Sequence, residues 1–112
     1  MTAAGFRRIA LGLEGATESE HMGHPDFRVN GKIFATIKHD NKSGMVKLTP
    51  EQQERFVRDD PTSFAPENGA WGRAGCTKVL FARVDEDMLG EAMTLAGQNT
   101  KAVRRSASAK RR

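Results

Sequence analysis

An α+β domain, with helices packed against an antiparallel meander sheet, is the fold class this sequence predicts on three observations. Two β-prone runs flank Asn30-Gly31 in FRVNGKIFATIK, apolar residues recur at helical spacing near both ends of the chain, and no segment repeats another. At 112 residues there is enough chain for one modest core and not for two domains.

Each element has a local reason. Thr2 can cap a helix whose apolar positions are Ala3, Phe6, Ile9, Ala10 and Leu13, ending near Gly15. Polar residues with Gly23 and Pro25 follow, so a short edge strand at 18–22 leads into a turn. Asn30-Gly31 supplies the positive φ angles of a type I′ turn, which pairs Val29 with Lys32, Arg28 with Ile33 and Phe27 with Phe34. The hairpin base should then be core and its tip solvated. A polar loop, HDNKSG, leads to a further strand at 45–48.

Thr49-Pro50-Glu51-Gln52 is a helix start: Thr49 caps, Pro50 suits the first helical position, and Gln52 returns a capping-box bond. This helix should run to about Arg58 with Phe56 and Val57 as core contacts. A short extended piece at 63–65 and a long glycine-rich loop lead to a strand at 76–84. Asp85 caps a last helix with the stripe Met88, Leu89, Ala92, Met93 and Ala96, and Gly97 is its expected stop.

Charge divides the chain unevenly. Positions 101–112, KAVRRSASAKRR, hold six basic residues and no acid, whereas positions 1–100 hold 12 basic and 14 acidic residues. The expected organisation is a domain at 1–100 carrying −2 and a disordered tail at 101–112 carrying +6, which attracts polyanions whatever the domain does. One cysteine excludes an intramolecular disulfide and suits a reducing cytoplasm. No apolar run reaches the length of a signal peptide or of a membrane span.

The segment HMGHPDFRVNGKIFATI, the helix start KLTPE at 47–51, and AWGRAGCTKVLF at 70–81 together resemble the MmcQ/YjbR-like family over most of positions 6–96. The resemblance implies a compact α+β fold like that of the type III secretion chaperones and related to the frataxin-like proteins. It also implies a double-wing DNA-binding motif, in which β-hairpins engage the duplex. The sequence departs from the family pattern at Cys76, where many relatives carry Trp, and at Gly97, where an aromatic often closes the last helix.

If a hairpin wing meets phosphates, the residues to do so are Arg28, Lys32, Lys38, Lys42 and Lys47, with Arg73 and Lys78 as a second stretch and Arg104 and Arg105 in the tail. The bland alternative is that these are solvating charges, with edge lysines discouraging strand addition. His21, His24 and His39 lack the spacing of a metal site; His24 should hydrogen-bond backbone and His39 should be exposed. Cys76 reads as a buried, inert thiol, and Trp71 as a loop anchor in the core, with stacking on an unpaired base as its alternative. No nucleophile elbow, phosphate loop or paired carboxylates point to catalysis, and nothing calls for a cofactor. The expected function is weak, non-sequence-specific DNA binding without enzymatic activity. The rival is a protein-interaction or chaperone-like module, marked by an exposed apolar patch, and the oligomeric state stays open.

Overall fold

A computed structural model describes the backbone of residues 1–110 and the side chains of residues 1–101. Six strands form one antiparallel sheet: β1 (Ala16–His21), β2 (His24–Val29), β3 (Lys32–Ile37), β4 (Ser43–Lys47), β5 (Phe64–Pro66) and β6 (Cys76–Leu80). Their order across the sheet is β1-β2-β3-β4-β6-β5, so the expected meander supplies four strands and β6 continues it with β5 at the far edge. The helices are α1 (Ala3–Leu11), α2 (Pro50–Asp59), α3 (Gly69–Arg73) and α4 (Glu86–Lys110). The fold class is therefore the expected one, with a fourth, short helix where a loop was anticipated.

The caps form as the residue types require. Thr2 accepts from the Gly5 N–H, and α1 ends at Leu11 rather than near Gly15 because Gly12 already takes the C-cap. Thr49 and Gln52 close a capping box with bonds of 3.1 and 3.0 Å. Asp85 accepts from the Asp87 and Met88 N–H groups and so starts α4. β6 stops at Leu80 because the next residues turn back, with Arg83 and Val84 both donating to the Leu80 carbonyl.

Asn30 and Gly31 take φ of 55° and 78°, as the hairpin turn requires. Val29 faces Lys32 and Arg28 faces Ile33, but Phe27 faces Ala35, not Phe34. A β-bulge absorbs Phe34 as an extra residue, which lets Phe34 and Ala35 both be fully buried in succession. Strict alternation would have sent one of them to the open side. Val29, beside the turn, is also buried, so the hairpin is core further towards its tip than alternation suggested.

One face of the sheet carries the core. Phe6 of α1 meets Phe27 and Phe81 at ring-centroid distances of 6.1 and 5.1 Å, and Phe56 of α2 meets Phe64 at 5.1 Å. α4 lays Leu89, Ala92, Met93 and Ala96 on the same core. Burying such side chains contributes roughly 1.5–3 kcal/mol each. Gly44 admits the Phe6 ring, since a Cβ there would stand 2.8 Å from it. Gly97 does not stop α4. Its missing side chain leaves room for Leu13, whose Cδ1 would lie 2.9 Å from a Cβ, so the departure from the family pattern is a packing contact. The side chains of Arg104 and Arg105 lie outside the described residues, and the backbone of α4 runs on to Lys110, through most of the segment expected to be a disordered tail.

Two further glycines hold the segment after β5 against the sheet. A Cβ on Gly72 would lie 1.8 Å from the Glu67 carbonyl oxygen, and one on Gly75, at φ +115°, would lie 1.9 Å from the Leu48 carbonyl oxygen. Backbone blocks both positions, so no side-chain rotation can relieve the overlap. Gly75→Ala should therefore cost ~3 kcal/mol. Gly90→Ala, in open space within α4, should instead stabilise by roughly 0.5–1 kcal/mol. Urea unfolding followed by far-UV circular dichroism checks both signs.

Candidate functional site

Among the described residues, no long helix covers the second face of the sheet. Asp26, Thr36, Met45 and Lys78 are successive cross-strand partners on this face, and Lys47 lies opposite Cys76. A groove of about 530 Å³ lies over it. Ile33, Thr36, Met45 and Cys76 line it from the strands, and Glu67, Asn68 and Trp71 from the β5–α3 segment. Gln53 of α2 helps hold that segment in place, donating to the Gly72 and Cys76 carbonyls at 3.0 Å each.

Trp71 was expected to anchor this segment in the core, and it does not: it is 69% exposed. The anchoring falls to backbone, through the tight approaches at Gly72 and Gly75 and the Gln53 amide, and the indole is left bordering the groove.

Ion pairing sorts the basic residues on the open face. Arg28 grips Asp26 through two bonds of 2.8 and 3.1 Å, and the Asp26 side chain is completely buried while Arg28 keeps 31% of its own exposed. The hydrogen bond to Asp26 raises the guanidinium pKa against the desolvation that lowers it. Lys38 is likewise held by both Glu67 oxygens at 2.9 Å. Among the described residues, Lys32, Lys42, Lys47, Arg73 and Lys78 have no carboxylate within ion-pair distance. Lys47 and Lys78 are half-buried on the open face, whereas Lys32, Lys42 and Arg73 are exposed.

The expected wing residues do not form one cluster. Lys32 opens β3 and Lys42 lies beyond its other end, so that strand alone separates them by about 20 Å. Lys42 instead donates its backbone N–H to Asp40, which holds that carboxyl below the usual range, with smaller help from Ser43 and the charge of Lys78.

The three histidines come together at the groove. His21 and His24 face each other across the β1–β2 turn with ring centroids 6.4 Å apart, and His39 meets His24 edge-on at 4.7 Å. His24 Nδ1 is buried without a hydrogen-bond partner, contrary to the backbone bond expected of it. His39 is exposed as expected. No group of three or more His, Cys, Asp or Glu among the described residues is arranged to hold a metal ion. The pairing of His21 with His24 was readable from a tight turn at Met22-Gly23, but the arrival of His39 depends on the β3 bulge and the following loop.

Cys76 is buried, and desolvation pushes its thiol pKa up, with Lys47 acting in the opposite direction. That is the inert thiol expected, and it disfavours a nucleophilic role.

The Asp26–Arg28 pair leads to a stability test. Arg28→Met strands a buried carboxylate and should lower Tm by several degrees, while Asp26→Leu/Arg28→Met, which removes both charges, should recover part of the loss. Thermal melts of the two variants decide it, and a double variant as unstable as the single one would contradict the pairing argument.

No helix among the described residues is long and apolar enough to cross a membrane. A search of curated proteins returns no match to this chain. Among solved structures, the crystal structure of Deinococcus radiodurans protein DR2400, with its DUF419 domain, is similar in fold, with a TM-score of 0.67 and 22% sequence identity over 82% of this chain and 72% of that one. The YjbR family model matches residues 11–96, a span that takes in the whole sheet, α2, α3 and the buried stripe of α4. The chain belongs to the YjbR family.

Proposed function

We propose that this protein is a non-enzymatic, weak and non-sequence-specific DNA-binding protein that meets duplex phosphates with unpaired cations at the open face, the hairpin tip and the basic C-terminal segment. The observation that carries the reading is the sorting of charges: Lys47 and Lys78 stay unpaired on a face that no long helix covers, with Lys32 free at the β2–β3 turn. Arg28 and Lys38 contribute less, being neutralised by Asp26 and Glu67. Arg104 and Arg105 add long-range attraction from the tail. Membership in a family for which a double-wing motif is described supports the same reading. The single, buried Cys76 supports a reducing compartment such as the cytoplasm.

Exposed Trp71 favours a second reading, in which the groove takes a protein segment and no nucleic acid. Salt dependence separates the two. Fluorescence anisotropy of a labelled duplex should give the full-length protein a salt slope equivalent to several phosphates, each worth about 0.9. Lys47→Gln/Lys78→Gln should lower that slope by about 2. A slope unchanged by this variant but abolished by Arg104→Gln/Arg105→Gln would reduce the DNA reading to a polybasic segment.

A further inference from the structure

We propose that the open-face groove is a single-strand site, in which one unpaired nucleic-acid base stacks on Trp71 and the adjoining phosphate is held by Lys47. The proposal rests on the nucleic-acid reading above and names the form of nucleic acid that the groove itself takes.

Three features of the groove point the same way. Its volume of about 530 Å³ falls within the range of small-ligand sites, so it suits one nucleotide and not a duplex. The chain's one tryptophan lines it while 69% exposed, which leaves a large aromatic face unpaired in water. Base–aromatic stacking fills such a face without demanding a particular base, and only an unpaired base offers its own face in return.

Charge complements this geometry. Lys47 lines the groove with no carboxylate partner, whereas Glu67, the acid of the groove wall, is already satisfied by Lys38 at 2.9 Å. An incoming phosphate therefore meets a free ammonium and no unbalanced carboxylate. The imidazoles of His21, His24 and His39 line the same groove and add further ring faces beside the stacked base. A duplex meets Lys47, Lys78 and Lys32 through its phosphates alone, because its paired bases cannot enter the groove.

The chain's single tryptophan makes the test direct, because all indole emission reports on position 71. Full-length protein is titrated with a short oligothymidylate, with a duplex of equal length, and with an abasic deoxyribose-phosphate oligomer. Oligothymidylate should quench the emission and the abasic oligomer should not. Trp71→Ala should weaken oligothymidylate binding roughly five- to hundredfold while leaving duplex binding unchanged, and Trp71→Phe should restore most of it. Lys47→Gln should weaken oligothymidylate and the abasic oligomer alike. Salt-dependent binding of both DNA forms with no quenching and no dependence on residue 71 overturns the groove proposal and leaves the duplex reading standing. Quenching by the single strand with no duplex binding upholds the groove and overturns the duplex reading. Binding of neither overturns both.

Discussion

The Gly75 backbone lies so close to the Leu48 carbonyl that no side chain fits between them, and the rest of the open face is organised around that contact. Leu48 donates back to the Gly75 carbonyl at 3.2 Å, joining the corner after β4 to the corner before β6. Around it, the Gln53 amide takes the Gly72 and Cys76 carbonyls, and Asn99 of α4 donates to the Lys47 carbonyl and to Gln52. Five elements, β4, α2, α3, β6 and α4, thus share one polar seam of satisfied backbone groups. The seam fixes α3 beside the sheet by backbone, which is why Trp71 is free to remain in solvent.

Burial on one side determines what the other side can do. α1 and α4 cover the first face with Phe6, Leu89 and Met93, and the second keeps half-buried, mostly polar side chains in the same pleat. Within that second face, the reach of two carboxylates, Asp26 and Glu67, decided which charges were spent. Asp26 and Arg28 meet on one strand and Glu67 reaches Lys38, whereas Lys47 stands opposite Cys76 and Lys78 between Met45 and Ala65, neither with a carboxylate within ion-pair distance. The net charge of the chain says little about this. Local pairing separates cations that a phosphate can reach from those already engaged.

Much of this architecture was legible in the sequence wherever a signal was local. The capping box at Thr49, the Asn30-Gly31 turn, the Asp85 cap and the α4 stripe all depend on residues within a few positions of one another, and each formed as read. What was misread depended on distant partners. The bulge at Phe34 answers to packing under α1 and α4; Gly97 resembles a helix stop until Leu13 arrives against it; Trp71 resembles a core anchor until glycine backbone does the anchoring. The site itself was half legible. Its lysines were named from the hairpin and its neighbours, but the neutralisation of Lys38 by Glu67, 29 residues away, and the arrival of His39 against His24 carry no local signature.

The central claim is that the uncovered face of the sheet is the binding surface. Amide and indole chemical shifts of uniformly ¹⁵N-labelled full-length protein, titrated with oligothymidylate at low salt, address it residue by residue. The account predicts shifts at the Thr36, Met45, Lys47 and Cys76 amides and at the Trp71 indole N–H, with α1 and the Leu89–Ala96 stretch of α4 unmoved. Shifts confined to residues beyond Thr100, with the groove silent, would contradict it.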